Sequence, residues 1–566
     1  MKKKTIVVLI VAFVLSLILV GVKRELSFIS SNIKINSISD LQTENLYKLC
    51  KIWGIMKYYH PDIVSGKINW DQELLEIMPE VIESKSPQET NQLLCKWIEQ
   101  FPINYNNTNE DIEWQNIQNT DGIIYQDTEW INNEVFWGSN LSLYLSELSD
   151  IHIANRENSY AKFKKSDLIP KFDKESRMEF PPKDDGIKLL GLFRLWNAYE
   201  YYSPNSQFAR SNWDEILKEY IPKIVVADTY QEYVKAICSI MSQTGDGHFS
   251  IEDSMGAATY LFGKFHLQCS IEQIGENIVV TQTGEDAEKL RPGDIIKRID
   301  NTLIESRVEE IKKYRPYLDE HILLQTERRE AKVEVIRNGV HIEITCNSHK
   351  EPYTYTNPTK NGFVDENIGY IDPSKLKDGE IEGLMNKFCN AEGIIIDLRF
   401  YPSVPILYIL GEYLISEPKE FAHLVLPNKS MPGYFYKMDY FYSGKGWMKK
   451  TGQSDKEYPS YNGTVILLMN NQTMSQGETT IMALRQAKNA IVIGSNSQGT
   501  NGDIVLLEFP GKIRITFSGA GVYTINNERM QQLGLTPDIQ FIPTIEGISN
   551  GRDELLDEAI NLLEKK

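Results

Sequence analysis

Cationic charge is in short supply in this sequence. Its 566 residues hold 60 Lys and Arg against 78 Asp and Glu, for a formal net charge of −18. A nucleic-acid backbone is gripped by clustered Lys and Arg, so the deficit argues against a nucleic-acid partner. Histidine is scarce too, at eight residues, with no H-E-x-x-H or comparable cluster. A Walker-type glycine loop is missing as well, so neither a metal nor any other cofactor is expected. The six cysteines (Cys50, Cys95, Cys238, Cys269, Cys346 and Cys389) are widely spaced and form no C-x-x-C pair. They read as buried small hydrophobes, with individual bridges left open outside the cell. Hydrophobic (41%) and charged (24%) contents are ordinary for globular chains, and the length gives room for three or more domains.

One segment does not read as globular. Three lysines within residues 1–4 precede the uncharged run TIVVLIVAFVLSLILVGV at 5–22. As a helix it spans about 27 Å, near the thickness of a hydrocarbon core. Lysines ahead of it place the N-terminus inside the cell. The expectation is a cytoplasmic stub (1–4) and a single-pass anchor (5–22) in the cell membrane, with the rest extracytoplasmic. The alternative is a cleaved signal peptide and a secreted chain, although no A-x-A-like site follows the run. No Cys follows it either, which leaves a lipoprotein anchor unsupported.

The N-terminal half repeats itself at a constant offset of 143 residues. Trp53, Tyr58, Tyr59, Pro61, Trp70, Asp71, Pro79 and Cys95 return as Trp196, Tyr201, Tyr202, Pro204, Trp213, Asp214, Pro222 and Cys238. An ungapped match of this kind is a duplication. Copy one with its connecting segment covers 41–185, and copy two covers 186–252. Each reads as helix, loop, helix, helix, with apolar residues at helical spacing and Asn69 or Asn212 in capping position. The Trp/Tyr stripe reads as core. The copies differ at their ends: copy two runs into Gly245-Asp246-Gly247-His248, and Tyr105 stands opposite His248 in copy one.

Residues 264–346 change character, to strands with turns at Gly275 and at Asn338-Gly339. With Leu290-Arg291-Pro292-Gly293-Asp294-Ile295-Ile296, the segment resembles a PDZ domain. Such domains bind an extended peptide by strand addition. The bland alternative is a spacer of the same shape that binds nothing.

From 350 to 566 strands alternate with helices. GIIIDLR, TMSQGE opening a helix, AIVIGSNSQG, GLTPDI and GRDELLDEAI occur in that order. Local sequence alone makes Ser475 a helix N-cap. The ordered set, preceded by GDGH and the PDZ-like segment, resembles the C-terminal-processing (tail-specific) serine peptidases, especially their tricorn-like branch. The resemblance covers roughly residues 190–566. It implies an α/β catalytic domain of ClpP/crotonase type behind the duplicated helical region and a small PDZ-like β domain. It implies Ser475, three residues before Glu478, as nucleophile. One branch of the family takes its base from a Lys in a G-K-G turn, but Thr500 stands there. The tricorn-like branch uses a His at the position of His248; an imidazole titrates near neutrality, which suits general-base work. His423 is the reserve base, and Lys488 reads as surface.

Two departures stand out. The orienting Glu of the tricorn-like branch corresponds to Gln531, with Glu528 nearby as a weak substitute. A glycine that helps the oxyanion hole corresponds to Ser403, whose N–H joins that of Gln476 in the expected hole. Asp246 and Asp397 read as structural. The expected activity is hydrolysis of peptide bonds in unstructured or C-terminal protein segments through an acyl-enzyme. The partners are then a peptide or unfolded protein and, through the N-terminal helix, a membrane. The alternatives are a catalytically inactive PDZ-containing peptide-binding protein, or an esterase or peptidase with small-molecule substrates.

Overall fold

The computed structural model describes residues 31–565 apart from 104–122, 125–128, 165, 176–177, 179–182, 258, 285–288 and 443–454. Copy one supplies α1 (Asp40–Tyr59), α2 (Trp70–Glu83) and α3 (Pro87–Ile98), and copy two supplies α4 (Asp185–Tyr202), α5 (Trp213–Val226) and α6 (Tyr230–Thr244). The caps recur at equivalent positions. Asn69 and Asn212 accept backbone N–H bonds at the starts of α2 and α5, and Ser86 and Thr229 do so at α3 and α6.

Reciprocal indole bonds fasten each copy. Trp53 Nε1 donates to the Trp70 carbonyl at 3.0 Å and Trp70 Nε1 to that of Trp53 at 2.9 Å. Trp196 and Trp213 do the same at 2.8 and 3.2 Å. The copies meet where α1 crosses α4, at the equivalent residues Gly54 and Asn197. A Cβ on Gly54 would lie 1.7 Å from Asn197 Oδ1, so only glycine allows the approach. Ion pairs then cross between the copies. Lys51 Nζ reaches Asp214 at 2.9 Å, and Arg194, the equivalent of Lys51, pairs with Asp71, the equivalent of Asp214.

Around Arg194 the charges are buried. Lys57 contacts Asp71 at 3.3 Å and Glu175 at 2.5 Å, and Arg194 Nε lies 2.8 Å from Glu175. Burial alone would raise the Asp71 carboxyl, but Arg194 and Lys57 outweigh it and hold the group below its usual range. For Glu175 burial outweighs the same cations and the carboxyl is raised.

β1 (Ser250–Glu252) leaves the helical region. It is followed by the antiparallel run β2 (Cys269–Ile274), β3 (Asn277–Thr283), β4 (Ile295–Ile299), β5 (Glu330–Arg337) and β6 (Val340–His349), with α7 (Ile304–Lys312) between β4 and β5. Asn338 (φ 50°) and Gly339 (φ 79°) turn the β5–β6 hairpin, as positive φ at both central residues requires. This sheet has its own core, including Ile271, Val280, Ile296, Val333 and Val335.

The C-terminal domain is β-rich. Its strands are β7 (Gly362–Asp365), β8 (Ile368–Ile371), β9 (Gly393–Asp397), β10 (Lys419–Pro427), β11 (Phe435–Tyr442) and β12 (Thr464–Met469). α8 (Gln476–Leu484) is followed by β13 (Ala490–Gly494), β14 (Ile504–Phe509), β15 (Ile513–Ser518), β16 (Gly521–Thr524), β17 (Ile539–Gln540) and α9 (Glu554–Glu564). The central sheet runs β7-β8-β9-β12-β13-β17 and is parallel from β8 onward. Alternation sorts its side chains. Ile394, Ile396 and Leu467 pack with Ile481 and Leu484 of α8, and Ile395, Ile466 and Leu468 pack with Leu555, Ala559 and Leu563 of α9. Helix α8, which Ser475 precedes, therefore lies on one face of a sheet buried on both.

A second sheet, β11-β10-β16, flanks α8, and a third, β14-β15-β1, joins the two halves of the chain. Ile515 pairs with Ile251 and Thr516 with Ser250. The inner face of this sheet completes the helical core: Phe517 meets Tyr199 at 5.3 Å and Phe509 meets Tyr233 at 6.0 Å between ring centroids.

Two expectations are decided here. All six cysteines are free; Cys50, Cys238, Cys269 and Cys346 are buried, Cys95 is half-buried and Cys389 is exposed. Among the described residues no helix is long and apolar enough to cross a membrane. This corrects the expectation of a single-pass protein with a membrane partner; the run 5–22 on which it rested lies outside the described residues.

The buried cluster makes a prediction. Arg194→Met leaves Asp71 and Glu175 short of a cation and is expected to cost about 3–5 kcal/mol. The exposed pair of Lys223 and Glu219 is expected to give less than about 1 kcal/mol on Lys223→Met. Urea unfolding of both variants checks the difference.

Candidate active site

Ser475 lies between β12 and α8 in a conformation that side chains seldom adopt, at φ 50° and ψ −114°. Such a backbone costs on the order of 1–3 kcal/mol and persists only where its surroundings hold it. Here the Ser475 N–H donates to the Thr500 carbonyl at 2.6 Å and to Glu478 Oε2 at 3.3 Å. Glu478 is fully buried and also accepts from Ser497 Oγ at 2.5 Å and the Gly499 N–H at 2.8 Å. It therefore ties the start of the helix to the 497–500 turn. Burial pushes its carboxyl up to about 7, against hydrogen bonds from Ser497, Gly499, Ser475 and Thr500 that favour the anion.

Ser475 opens onto a cleft of about 340 Å³ that Gln476, Asn501 and Asp503 share on its polar side, with Leu424, Met438 and Val522 on its apolar side. Gln476 occupies the first turn of α8, where backbone N–H groups lack intrahelical partners. Asn501 has its Oδ1 held by Thr479 Oγ1 at 3.1 Å and the Gly502 N–H at 2.8 Å, and its Nδ2 is buried without a partner.

His248 reaches this region from α6. Gly245 ends that helix in the left-handed conformation (φ 64°) that favours glycine. Gly247 presses on the neighbouring turn: a Cβ there would lie 1.7 Å from Thr500 Oγ1. The GDGH loop thus abuts the residue that receives the Ser475 N–H. His248 is buried, and its Nδ1 lies 3.0 Å from Ser518 Oγ. Its Nε2 is buried and makes no hydrogen bond, so no bond joins it to Ser475 in this structure. Burial lowers the affinity of His248 for a proton, with Asp246 and then Asp503 opposing. Asp246 receives the Ser518 N–H and O–H, each at 2.7 Å, and the His248 N–H at 3.0 Å.

Several expected contacts are not made. The Gln531 side chain is buried, and neither its Oε1 nor its Nε2 is hydrogen-bonded, so it does not orient His248; the Ser518 hydroxyl occupies that place on the imidazole. The Ser403 N–H is committed to the Pro373 carbonyl at 3.2 Å and is not offered to the cleft. His423 lies on β10, where alternation turns it away from the cleft that Leu424 lines; its Nδ1 is 3.0 Å from both Glu420 and Asp439. Glu528 is exposed and bonded to Thr524, and Lys488 is exposed beyond the end of α8. Asp397 is structural as expected, paired with Arg399 and Tyr370. Asp246 is structural as expected, holding its loop through Ser518 and the His248 backbone.

Ser518 and Asn501 were missed. Ser518 ends a strand, and nothing in the pattern of that strand distinguishes it. Asn501 directly follows Thr500, and only an unpaired buried amide marks it.

Glu478 gives a pH prediction. Its carboxyl is harder to ionise in the folded chain than in the unfolded one, so its contribution to stability falls as pH rises from about 4.5 to about 7. The unfolding free energy of wild type minus that of Glu478→Gln is expected to drop by about 3 kcal/mol between pH 4.5 and 8. Chemical denaturation across that range measures it.

Comparison with known proteins follows the same outline. The sequence pattern of Peptidase family S41 matches residues 420–541. No curated protein matches. Among solved structures, mature CPAF complexed with lactacystin is similar with a TM-score of 0.50 at 13% identity, covering 68% of this chain and 99% of that one. A CPAF mutant is similar with a TM-score of 0.52 at 12% identity, covering 67% and 97%. The photosystem II D1 C-terminal processing protease aligns with a TM-score of 0.39 at 16% identity, covering 65% and 98%.

Proposed function

We propose the following chemistry for a chain that, through residues 420–541, belongs to peptidase family S41. It is a serine peptidase. Ser475 Oγ bonds to the carbonyl carbon of a peptide as its proton passes to His248 Nε2. The carbonyl C–N bond then breaks and the proton goes to the leaving amine, which leaves an acyl-Ser475 ester. Water attacks that ester, gives a proton to His248, and the acid product departs as the proton returns to Ser475. The helix N-terminus of α8 faces the developing oxyanion, with the Gln476 N–H as first donor. The second donor is the Asn501 amide: the residue lines the same cleft, and its buried Nδ2 has no partner. It replaces Ser403 in that role.

The observation that carries this reading is the strained Ser475 at a helix mouth, tied to the Thr500 turn that the His248 loop abuts, with the buried imidazole Nε2 left bare. In free enzymes the nucleophile–base bond is often open and tightens with substrate bound. The apolar wall of the cleft suits an apolar side chain next to the cleaved bond. The sheet β2–β6 with α7 supports a PDZ-like module that presents unstructured or C-terminal segments. It reaches the nucleophile loop directly, since Gln472, three residues before Ser475, donates to Glu320. The domain bounds are read as 41–185, 186–252, 264–346 and 350–566, with the last of ClpP/crotonase type.

A fluorophosphonate probe tests the chemistry. Wild type is expected to label, Ser475→Ala not at all, and His248→Ala more slowly by about 10²–10⁴-fold. Asn501→Ala is expected to slow labelling by about 10²-fold, whereas Thr500→Val, which carries no base function, labels like wild type. An unlabelled wild type would leave the peptide-binding alternative in its place.

A further inference from the structure

The family's orienting carboxylate is absent at position 531, yet His248 is not left unsupported. Ser518 Oγ lies 2.7 Å from Asp246 Oδ1 and 3.0 Å from His248 Nδ1. Three donors converge on the Asp246 carboxylate: the Ser518 O–H, the Ser518 N–H and the His248 N–H. A carboxylate that receives so many donors acts as an acceptor only. The hydroxyl proton of Ser518 therefore points to Asp246, and its oxygen presents only lone pairs to the imidazole. His248 must then carry its proton on Nδ1. Nε2 is left with a free lone pair, the form a general base requires, and it is the atom found buried without a partner.

We propose that Asp246, acting through the Ser518 hydroxyl, is the carboxylate that orients His248 and stabilises its charged form, in place of the acid missing at Gln531. The inference rests on His248 being the base for Ser475. No proton passes along the line. The Nδ1–H stays on the imidazole, Ser518 holds the tautomer, and the anion one hydroxyl away offsets the charge that develops when Nε2 takes the Ser475 proton. The charged groups facing the imidazole are Asp246 on its own loop and Asp503 at the cleft rim, and both favour imidazolium. Tyr199 from α4 packs against Asp246 as a phenol. The assembly depends on the third sheet, because Ser518 is the last residue of β15 and β1, two residues beyond His248, pairs with that strand.

Ser518→Ala is the informative variant, since its backbone N–H can still clasp Asp246; Ser518→Thr restores the hydroxyl. The first readout does not depend on turnover. In the full chain with ¹⁵N-labelled histidines, the His248 signals are assigned by their loss in His248→Gln. Wild type is expected to show the Nδ1–H tautomer. In Ser518→Ala that preference is expected to be lost and the His248 pKa to fall by about 1 unit, with both recovered in Ser518→Thr. The second readout is peptide hydrolysis: Ser518→Ala is expected to lose about 10²-fold in kcat with KM unchanged, and its acid limb to move to lower pH. Unchanged tautomer and pKa in Ser518→Ala overturn the relay whether or not the chain is active. If the NMR changes appear but wild type is not labelled at Ser475, the relay stands and the peptidase reading falls.

Discussion

A three-residue strand pairing holds the proposed site together. β1 belongs in sequence to the helical half, and β15 to the C-terminal domain, with 270 residues between His248 and Ser518. Their ladder is reinforced on both sides. The Ser250 N–H donates to Thr516 Oγ1 at 3.0 Å, and Thr516 Oγ1 donates to the His248 carbonyl at 2.7 Å. The Asp246–Ser518 clasp follows at the end of the strand. Closing so long a loop costs conformational entropy, and the aromatic contacts of Tyr199 and Tyr233 with the inner face of the third sheet offset it. The same burial that makes this junction stable also desolvates His248, so packing and chemistry are set by one interface.

The duplication shapes the contact between the two helical copies. Two copies related by a fixed offset present complementary faces to each other. A Lys or Arg at one position of each copy therefore meets an Asp of the other. Charges buried so deeply are tolerated only as pairs, and this restricts how the two copies fit together. The copies have since taken different roles. Copy two carries the histidine loop, and copy one packs against it as scaffold. The connecting segment contributes Glu175 to the charge cluster, although its polar sequence gave no hint of a buried role.

Much of the architecture was legible from local pattern. Helix caps, the I′ turn at Asn338-Gly339, the apolar strands and the repeat are all short-range signals, and each reappears in the structure where the pattern put it. Ser475 was singled out because five ordered motifs surround it, and His248 because GDGH ends the copy that copy one fails to match. What failed were contacts inferred position by position. Gln531 was given an imidazole that Ser518 holds, and Ser403 an oxyanion although its N–H is used by Pro373. Both errors have one cause: alignment places a residue in a loop, but hydrogen-bond partners are assigned by every element that packs there.

The sequence by itself determined the duplicated helices and the two β-rich modules, and it singled out Ser475 and His248, because periodicity, turn chemistry and ordered motifs act over a few residues. Only the tertiary structure brought a carboxylate and an unpaired amide near them. Asp246, Ser518 and Asn501 acquire meaning from partners brought in by strand pairing and loop contact, and such proximity leaves no trace in a linear pattern.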